Sequence, residues 1–199
     1  MKKTDPVSKP KLSDYTTEDW QNEKKRLSYS RKYRRTLKSS ISLLVVVASL
    51  AVLAATLWLP ILRVYGNSMT PALNAGDLVL STKTSHFNTG DVVAFYYNNR
   101  VLVKRVIAGP GDWVDIDLDG TVKVNNKVID EPYISEKSIG ETDLDYPYQV
   151  PEDRWFVMGD HRDVSMDSRK KAIGSIAEEQ ILGKLIFLLW PFEHIGPIQ

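Results

Sequence analysis

The chain has 199 residues, with 26 Lys and Arg, 25 Asp and Glu and no cysteine. This length is enough for one domain with a packed core and an appendage, and the lack of cysteine excludes disulfides and thiolate nucleophiles. The formal net charge of +1 conceals an asymmetry. Residues 1–38 carry 12 basic and 5 acidic residues, a net of +7, whereas the remainder carries 14 basic and 20 acidic residues, a net of −6. Such a contrast is typical of parts that lie in different surroundings.

An uncharged apolar run of 22 residues, 41–62, follows the basic flank. As a helix rising about 1.5 Å per residue it would be about 33 Å long, close to the bilayer's hydrocarbon thickness of about 30 Å. A cleavable signal peptide is the alternative, but such peptides have a shorter basic region and an apolar run of about 7–15 residues. The run therefore predicts a single transmembrane helix over residues 41–62.

The basic cluster at residues 24–38 abuts the apolar run on one side, and only Arg63 stands near it on the other. The positive-inside rule then predicts a cytoplasmic tail over residues 1–40 and an extracytoplasmic domain over residues 63–199. A nucleic-acid or lipid-binding arm is the alternative interpretation of this cluster. Membrane topology explains the cluster without a further ligand, so no nucleic acid is expected, and the cell membrane is the predicted location.

The outer domain has short β-like runs separated by turn residues and no long helical period, which predicts a mostly β fold of antiparallel strands. Asp119-Gly120 is a strong signal for a two-residue hairpin, and Asn125-Asn126 is a weaker one. Residues 131–154 lack strand signals and are interpreted as a long surface loop. The predicted strands are 77–82, 91–97, 101–107, 113–118, 155–158 and 181–190.

The first candidate for chemistry is the segment Gly66-Asn67-Ser68-Met69-Thr70-Pro71. Gly66 and Pro71 bracket a tight bend, and Ser68 lies six residues beyond the apolar run. Serine is common in ordinary turns, so the segment alone leaves a structural role open.

The second candidate is Lys104, in the predicted strand 101–107. Alternation along a strand puts Leu102 and Val106 on the same face as Lys104. If that face is buried, the lysine pKa falls from about 10.4 by up to several units, and a neutral amine can act as a general base. The alternative is a lysine on an edge strand that points to solvent, with Arg105 pointing inward.

The third candidate is the polar loop 159–169, Gly-Asp-His-Arg-Asp-Val-Ser-Met-Asp-Ser-Arg, which directly follows an apolar strand. It is either a solvated loop held by Asp–Arg pairs or a scaffold that fixes an active site.

At these three segments the sequence resembles the type I signal peptidases, in the form with one membrane anchor that is typical of Gram-positive bacteria. The serine-methionine-x-proline box of that family is matched at residues 68–71. Its lysine box is matched by Lys104-Arg105 and the glycine-rich residues 109–112, and its third box by residues 159–169. Three boxes in this order are far more specific than any one of them. The resemblance implies an antiparallel β catalytic domain.

The resemblance also implies roles. Ser68 would attack the scissile carbonyl, and Lys104 would take the serine proton as a neutral amine. Ser165 would hydrogen-bond the lysine amine and orient it. The charged members of the third box would hold the loop by charge-assisted bonds: Asp160, Asp167 and Arg169.

Two positions depart from the family pattern. Some members have a serine where Gly66 stands, so here the oxyanion would be bound by backbone N–H groups, including that of Ser68. Asparagine is usual where His161 stands, which raises a Ser–His–Asp triad as an alternative, although the lysine box would then be unexplained. The three histidines, 86, 161 and 194, show no His-x-x-x-His spacing, so neither a metal nor another cofactor is expected.

These features together predict a membrane-bound serine endopeptidase that cleaves signal peptides from exported preproteins. Its expected partners are those signal peptides and the lipid bilayer, with functional proximity to the export translocon. A Ser–Lys protease that cleaves itself or a regulator is a rival, but the anchor and the lack of a DNA-binding segment argue against it. The alternative from another class is a catalytically inactive relative that serves as a surface assembly chaperone.

Overall fold

The computed structural model describes residues 16–58 and 60–198. These divide into two compact units, residues 1–53 and 54–199. The first is helical, and β-strands are the main regular structure of the second.

A single helix, α1, runs from Thr17 to Trp58. Its 42 residues contain neither glycine nor proline, which explains why the polar and apolar parts form one helix of about 63 Å. The part from Trp20 to Ala54 is long and apolar enough to cross a membrane, by length and composition. The predicted tail, residues 1–40, is thus helical from Thr17 onward, while residues 1–15 lie outside the described part of the chain.

The helix ends before the predicted transmembrane boundary at Leu62. Proline cannot continue a helix, since it lacks an N–H and restricts the residue before it, and Pro60 stands at this point. Ile61 and Leu62 instead belong to strand β1 (Ile61–Arg63), which pairs with β2 (Leu78–Thr82). The last residues assigned to the anchor are therefore part of the β-sheet, which corrects the prediction of a helix up to Leu62.

Eleven further strands complete the β unit. They are β2 (Leu78–Thr82), β3 (Val92–Tyr97), β4 (Arg100–Ala108), β5 (Trp113–Ile116), β6 (Val122–Val124), β7 (Lys127–Val128), β8 (Tyr148–Gln149), β9 (Arg154–Met158), β10 (Ile176–Ala177), β11 (Ile181–Trp190) and β12 (Gly196–Pro197). Short 3-10 helices occur at Glu178–Gln180 and Phe192–His194. Every predicted strand is found, and no predicted end differs from the observed one by more than two residues.

The strands form two sheets, and every strand pair in the described residues is antiparallel, which confirms the predicted fold class. The larger sheet has the order β1-β2-β11-β3-β4-β9-β10, with β12 beside β11. The smaller sheet has the order β7-β6-β5-β8. Strand β4 therefore lies inside the larger sheet, between β3 and β9.

Of the two predicted hairpins in the smaller sheet, one differs from expectation in loop length. Asp119-Gly120 does mark a turn, but the loop spans three residues, 118–120, whose flanking residues are hydrogen-bonded to each other. Gly120 adopts a φ of +85°, which suits the third position of such a loop. Asn125 and Asn126, the weaker signal, form the true two-residue turn, with φ values of 51° and 65°.

Candidate active site

The segment that carries Ser68 is a turn anchored in the core. Gly66 has a φ of +80°, which allows the chain to bend directly after β1. Beyond the serine, Met69 and Leu73 are fully buried in one hydrophobic cluster, and the Leu73 N–H donates to the Met69 carbonyl at 2.8 Å. Because its neighbour Met69 is fixed in the core, Ser68 is held in place although it is itself half-buried.

Lys104 lies on the interior strand β4, opposite Val93 of β3. Val93 and Val106 belong to a buried apolar cluster, so the neighbours of Lys104 at this end of its face are apolar and buried. Only 3% of Lys104 is exposed. This excludes the alternative of a solvent-facing lysine on an edge strand.

Lys104 Nζ and Ser68 Oγ are 2.7 Å apart, within hydrogen-bond distance, with Nζ as the donor. The same Nζ donates to the Val103 carbonyl at 3.0 Å. Among the described residues, no carboxylate lies within ion-pair distance of this amine. The sequence therefore brings together two side chains 36 positions apart, as the boxes predicted.

Burial lowers the pKa of Lys104 to about 8, well below that of an ordinary lysine. The charges of Asp167 and Asp160 work against this shift, and that of Arg169 adds to it. Desolvation dominates because an ammonium removed from water without a close counter-ion is costly. A substantial fraction of the amine is consequently neutral near pH 8.

The loop 159–169 is joined to the serine segment through its backbone. The His161 N–H donates to the Ser68 carbonyl at 3.1 Å, and the Gly159 N–H donates to Asp167 Oδ2 at 2.9 Å. A side chain on Gly159 would clash with the Ser68 carbonyl and with Ser165. Only glycine fits this close approach, which accounts for the residue that opens the third box.

Three buried arginines hold the loop. Arg105, on the face of β4 opposite to Lys104, makes a two-pronged ion pair with Asp160 at 2.9 and 2.7 Å. Arg169 pairs with Asp167 at 2.9 Å. Every one of these four side chains is almost completely buried. Asp160, Asp167 and Arg169 are thus all engaged in buried ion pairs, and Arg105 adds a partner that the sequence left unassigned.

The third arginine, Arg162, pairs with Glu131, which lies in the segment interpreted as a surface loop. In the same segment, the ring of Tyr133 stacks on the Arg105 guanidinium, 3.9 Å from its central carbon. The Tyr133 hydroxyl donates to Glu131, and burial raises the pKa of Tyr133. The Ile139 carbonyl accepts from Arg169 at 2.8 Å. Part of the 131–154 loop is therefore packed against the candidate site.

Ser165 differs from expectation. Its side chain is buried, but its Oγ has no hydrogen-bond partner among the described residues. The bond expected between Ser165 and the Lys104 amine is therefore not made in this structure, because Nζ is turned toward Ser68 and the Val103 carbonyl.

The His161 ring does not contact Ser68 Oγ. Its Nδ1 lies 3.0 Å from Thr70 Oγ1, and that hydroxyl donates to the Asn67 carbonyl at 2.8 Å. A hydroxyl that already donates its hydrogen can only accept from the ring, so Nδ1 carries the proton. The ring therefore braces the turn around Ser68, and this contact does not form a Ser–His–Asp triad.

Ser68 and Lys104 line an open cleft of about 630 Å³. Its lining comes from the serine segment, the β3–β4 hairpin and the third box: Gly66, Asn67, Ser68, Tyr97, Asn98, Arg100, Leu102, Lys104, His161, Val164 and Met166. A serine beside a partly neutral lysine in an open cleft supplies the two groups that nucleophilic attack on a carbonyl requires.

The sequence matches the family described as signal peptidase, peptidase S26, over residues 37–190. This is most of the chain, and it includes all three boxes. The chain belongs to the signal peptidase family, and its resemblance to the type I signal peptidases is confirmed.

Two sequence relatives are consistent with this family, and one solved structure is also similar. The chain is 35% identical over 179 residues to signal peptidase I of Bacillus licheniformis, which covers 83% of this chain and 95% of that protein. It is 39% identical over 150 residues to signal peptidase IB of Staphylococcus aureus (strain N315), covering 65% of this chain and 76% of that protein. A crystal structure of a signal peptidase I from Enterococcus faecalis V583 aligns with a TM-score of 0.43 and 26% identity, over 50% of this chain and 97% of that one.

The family makes this chain a peptidase whose substrates carry signal peptides. Together with helix α1, it indicates a single-pass membrane protein.

Proposed function

We propose that the protein is a membrane-bound serine endopeptidase in which Ser68 is the nucleophile and Lys104 the general base for signal-peptide cleavage. One observation carries the proposal: the 2.7 Å contact between Ser68 Oγ and a buried Lys104 amine whose pKa is lowered to about 8. A serine hydroxyl needs an adjacent base to become nucleophilic, and an amine can serve only when it is neutral.

The reaction begins as the neutral Lys104 amine accepts the Ser68 hydroxyl proton while Oγ bonds to the scissile carbonyl carbon. The carbonyl electron pair moves onto oxygen and gives a tetrahedral oxyanion. Collapse of that intermediate breaks the C–N bond, and the lysine ammonium returns its proton to the leaving amine. Water, deprotonated by the same lysine, then hydrolyses the acyl-enzyme ester and releases the second product with Ser68 restored.

The oxyanion would be bound by backbone N–H groups, with the Ser68 N–H as the main candidate. Within the described residues this N–H donates to no protein acceptor, so it is available to a ligand. Gly66 has no side chain to offer a further donor, and its positive φ helps to shape the turn. Backbone donors that are already fixed stabilise the developing charge without reorganisation.

Ser165 is proposed as a positioning residue for the Lys104 amine. An unpaired buried hydroxyl costs about 1–3 kcal/mol, so a rearrangement that gave Ser165 Oγ a partner would be favoured. The family resemblance assigns that partner to the lysine. The ion pairs of Asp160, Asp167 and Arg169 would maintain the loop that carries Ser165.

The proposal includes topology. The basic part of α1 precedes its apolar part, and the positive-inside rule then keeps the N-terminus in the cytoplasm and the β unit outside. Ser68 follows the helix end at Trp58 by only ten residues, which suits a substrate cut where it leaves the bilayer. The bilayer and preproteins emerging from the export translocon would be its partners.

Cleavage of a preprotein in liposomes by the wild type and by the Ser68→Ala and Lys104→Ala variants tests the proposal. Both variants should remain folded by circular dichroism and lose cleavage at the signal-peptide junction. Lys123→Ala, on β6 of the smaller sheet and outside the cleft lining, is the matched control and should retain activity. A folded wild type that cuts none of several preproteins would contradict the proposal and favour an inactive assembly chaperone.

A further inference from the structure

One half of strand β4 has an open edge beside the candidate nucleophile. On one side, β3 pairs with residues Arg100 to Arg105 of β4. On the other side β9 pairs only with residues from Arg105 to Ala108. Residues 100–104 therefore have a neighbour on one side only among the described residues. Backbone groups at such an edge can pair with an extended peptide.

Three side chains of this half-strand point into the cleft. Arg100, Leu102 and Lys104 share one face because side chains alternate along a strand, and all three line the cleft that holds Ser68. At about 3.3 Å per residue, the Cα atoms of Arg100 and Lys104 are about 13 Å apart. An extended substrate peptide has the same rise per residue. A substrate residue about four positions from the scissile bond would therefore lie opposite Arg100.

The charge on this lining is unusual for the domain. Residues 39–199 have a net charge of −6, yet none of the residues lining the cleft is Asp or Glu. The Arg100 guanidinium is exposed and has no hydrogen-bond or ion-pair partner in the described residues 16–58 and 60–198. The other arginines near the site are buried in ion pairs. Arg100 is thus a cation that is available to a ligand.

We propose that Arg100 is a specificity-determining residue, which favours preproteins with an Asp or Glu three to five residues from the scissile bond and disfavours Lys or Arg there. This rests on the proposed function, because it identifies the cleft as the peptide site. The pair would form in solvent, so the effect is modest: about two- to fivefold in kcat/KM between acidic and basic substrates.

The test uses full-length protein and peptides identical except for Asp, Asn or Lys at single positions three to five residues before or after the cleavage site. The measured quantity is the ratio of kcat/KM for the Asp peptide to that for the Lys peptide. At one or more of these positions the wild type should prefer Asp, Arg100→Ala should lose the preference and Arg100→Glu should reverse it. High salt, about 1 M, should weaken the preference, because exposed charges are then screened within about 3 Å.

Lys127→Glu is the matched control, since it makes the same charge reversal on β7, away from the cleft lining. It should keep the wild-type ratio. An Asp/Lys ratio that is the same in wild type and Arg100→Glu at every position, on peptides that both cleave, would overturn the inference and leave the proposed function intact.

Binding provides a readout that does not depend on cleavage. Fluorescence anisotropy of labelled Asp and Lys peptides on Ser68→Ala protein should show tighter binding of the Asp peptide, with the order reversed in Ser68→Ala/Arg100→Glu. Equal affinities in both proteins would count against Arg100 even if the wild-type protein proved inert.

Discussion

Lys104 and Arg105 are adjacent residues of one strand, both are almost fully buried, and they have opposite surroundings. Lys104 meets a hydroxyl and a backbone carbonyl, with no carboxylate in ion-pair distance among the described residues. Arg105 is bound at two points by Asp160 and covered by the Tyr133 ring. The alternation of a strand sends these cations to two faces of the same sheet.

The comparison of these two residues shows that burial alone does not decide the role of a charged side chain. A buried cation with a matched carboxylate stays charged and fixes its surroundings. A buried ammonium without one gives up its proton more easily, and its pKa falls. In the proposed mechanism, one strand thus supplies the base of the active site and a fixed charge to the loop beside it.

The largest expected effect comes from making Lys104 resemble its neighbour. Lys104→Arg should reduce kcat for preprotein cleavage by about a thousandfold or more, since a guanidinium stays protonated and cannot take the Ser68 proton. The measurement is a single-turnover cleavage assay. Lys123→Arg makes the same replacement on a partly exposed lysine and should be active. Substantial cleavage by folded Lys104→Arg protein would refute the lysine assignment.

The free energy of unfolding should depend strongly on Arg105 and little on Lys104, whereas catalysis should depend on Lys104. Arg105→Met leaves Asp160 buried without its partner and should lower the free energy of unfolding of the β unit by about 3–5 kcal/mol. Lys104→Met removes an uncompensated charge and should leave stability unchanged or raise it. Urea denaturation of both variants in detergent measures the contrast. Equal destabilisation by the two substitutions would contradict it.

The pH dependence of cleavage follows from the pKa of Lys104. Since only the neutral amine acts as base, kcat/KM should rise about tenfold per pH unit below pH 8 and level off above about 8. A profile measured from pH 5.5 to 10 on one preprotein checks this. A midpoint near 10, where an ordinary lysine titrates, would mean that burial does not shift this amine.

The smallest effect is expected at His161. Its ring braces the turn around Ser68 through Thr70, and asparagine can also donate a hydrogen bond, so His161→Asn should retain kcat/KM within about tenfold. A fall of a thousandfold or more, as from the loss of a triad member, would support the histidine mechanism instead.

The sequence predicted the long strands and the three boxes because both leave local signals, an alternating pattern and a fixed spacing. The two-residue strands β8, β10 and β12 carry no such pattern and depend on neighbours distant in the chain. Strand β1 was hidden in the apolar run, since a segment ending in Ile-Leu fits a helix or a buried strand equally well.

Within the site, the choice of partner in each buried ion pair was the part that could not be predicted. Glu131 lies 31 positions from Arg162, and a lone glutamate in a polar loop gives no sign of burial. The same holds for Asp160, whose partner could have been any arginine nearby. Charge-rich segments reveal that ion pairs are possible, but only the fold decides which side chains meet.

The most direct test of the Ser68–Lys104 account replaces the base by one of known lower basicity. Because the chain has no cysteine, Lys104→Cys introduces a single thiol, and alkylation with bromoethylamine converts it into a thioether analogue of lysine. Sulfur withdraws electrons and lowers the amine pKa. The account predicts that unalkylated protein is inactive, that alkylation restores cleavage, and that the midpoint of the pH profile moves below about 8. Restored activity with an unchanged midpoint, or full activity before alkylation, would contradict it.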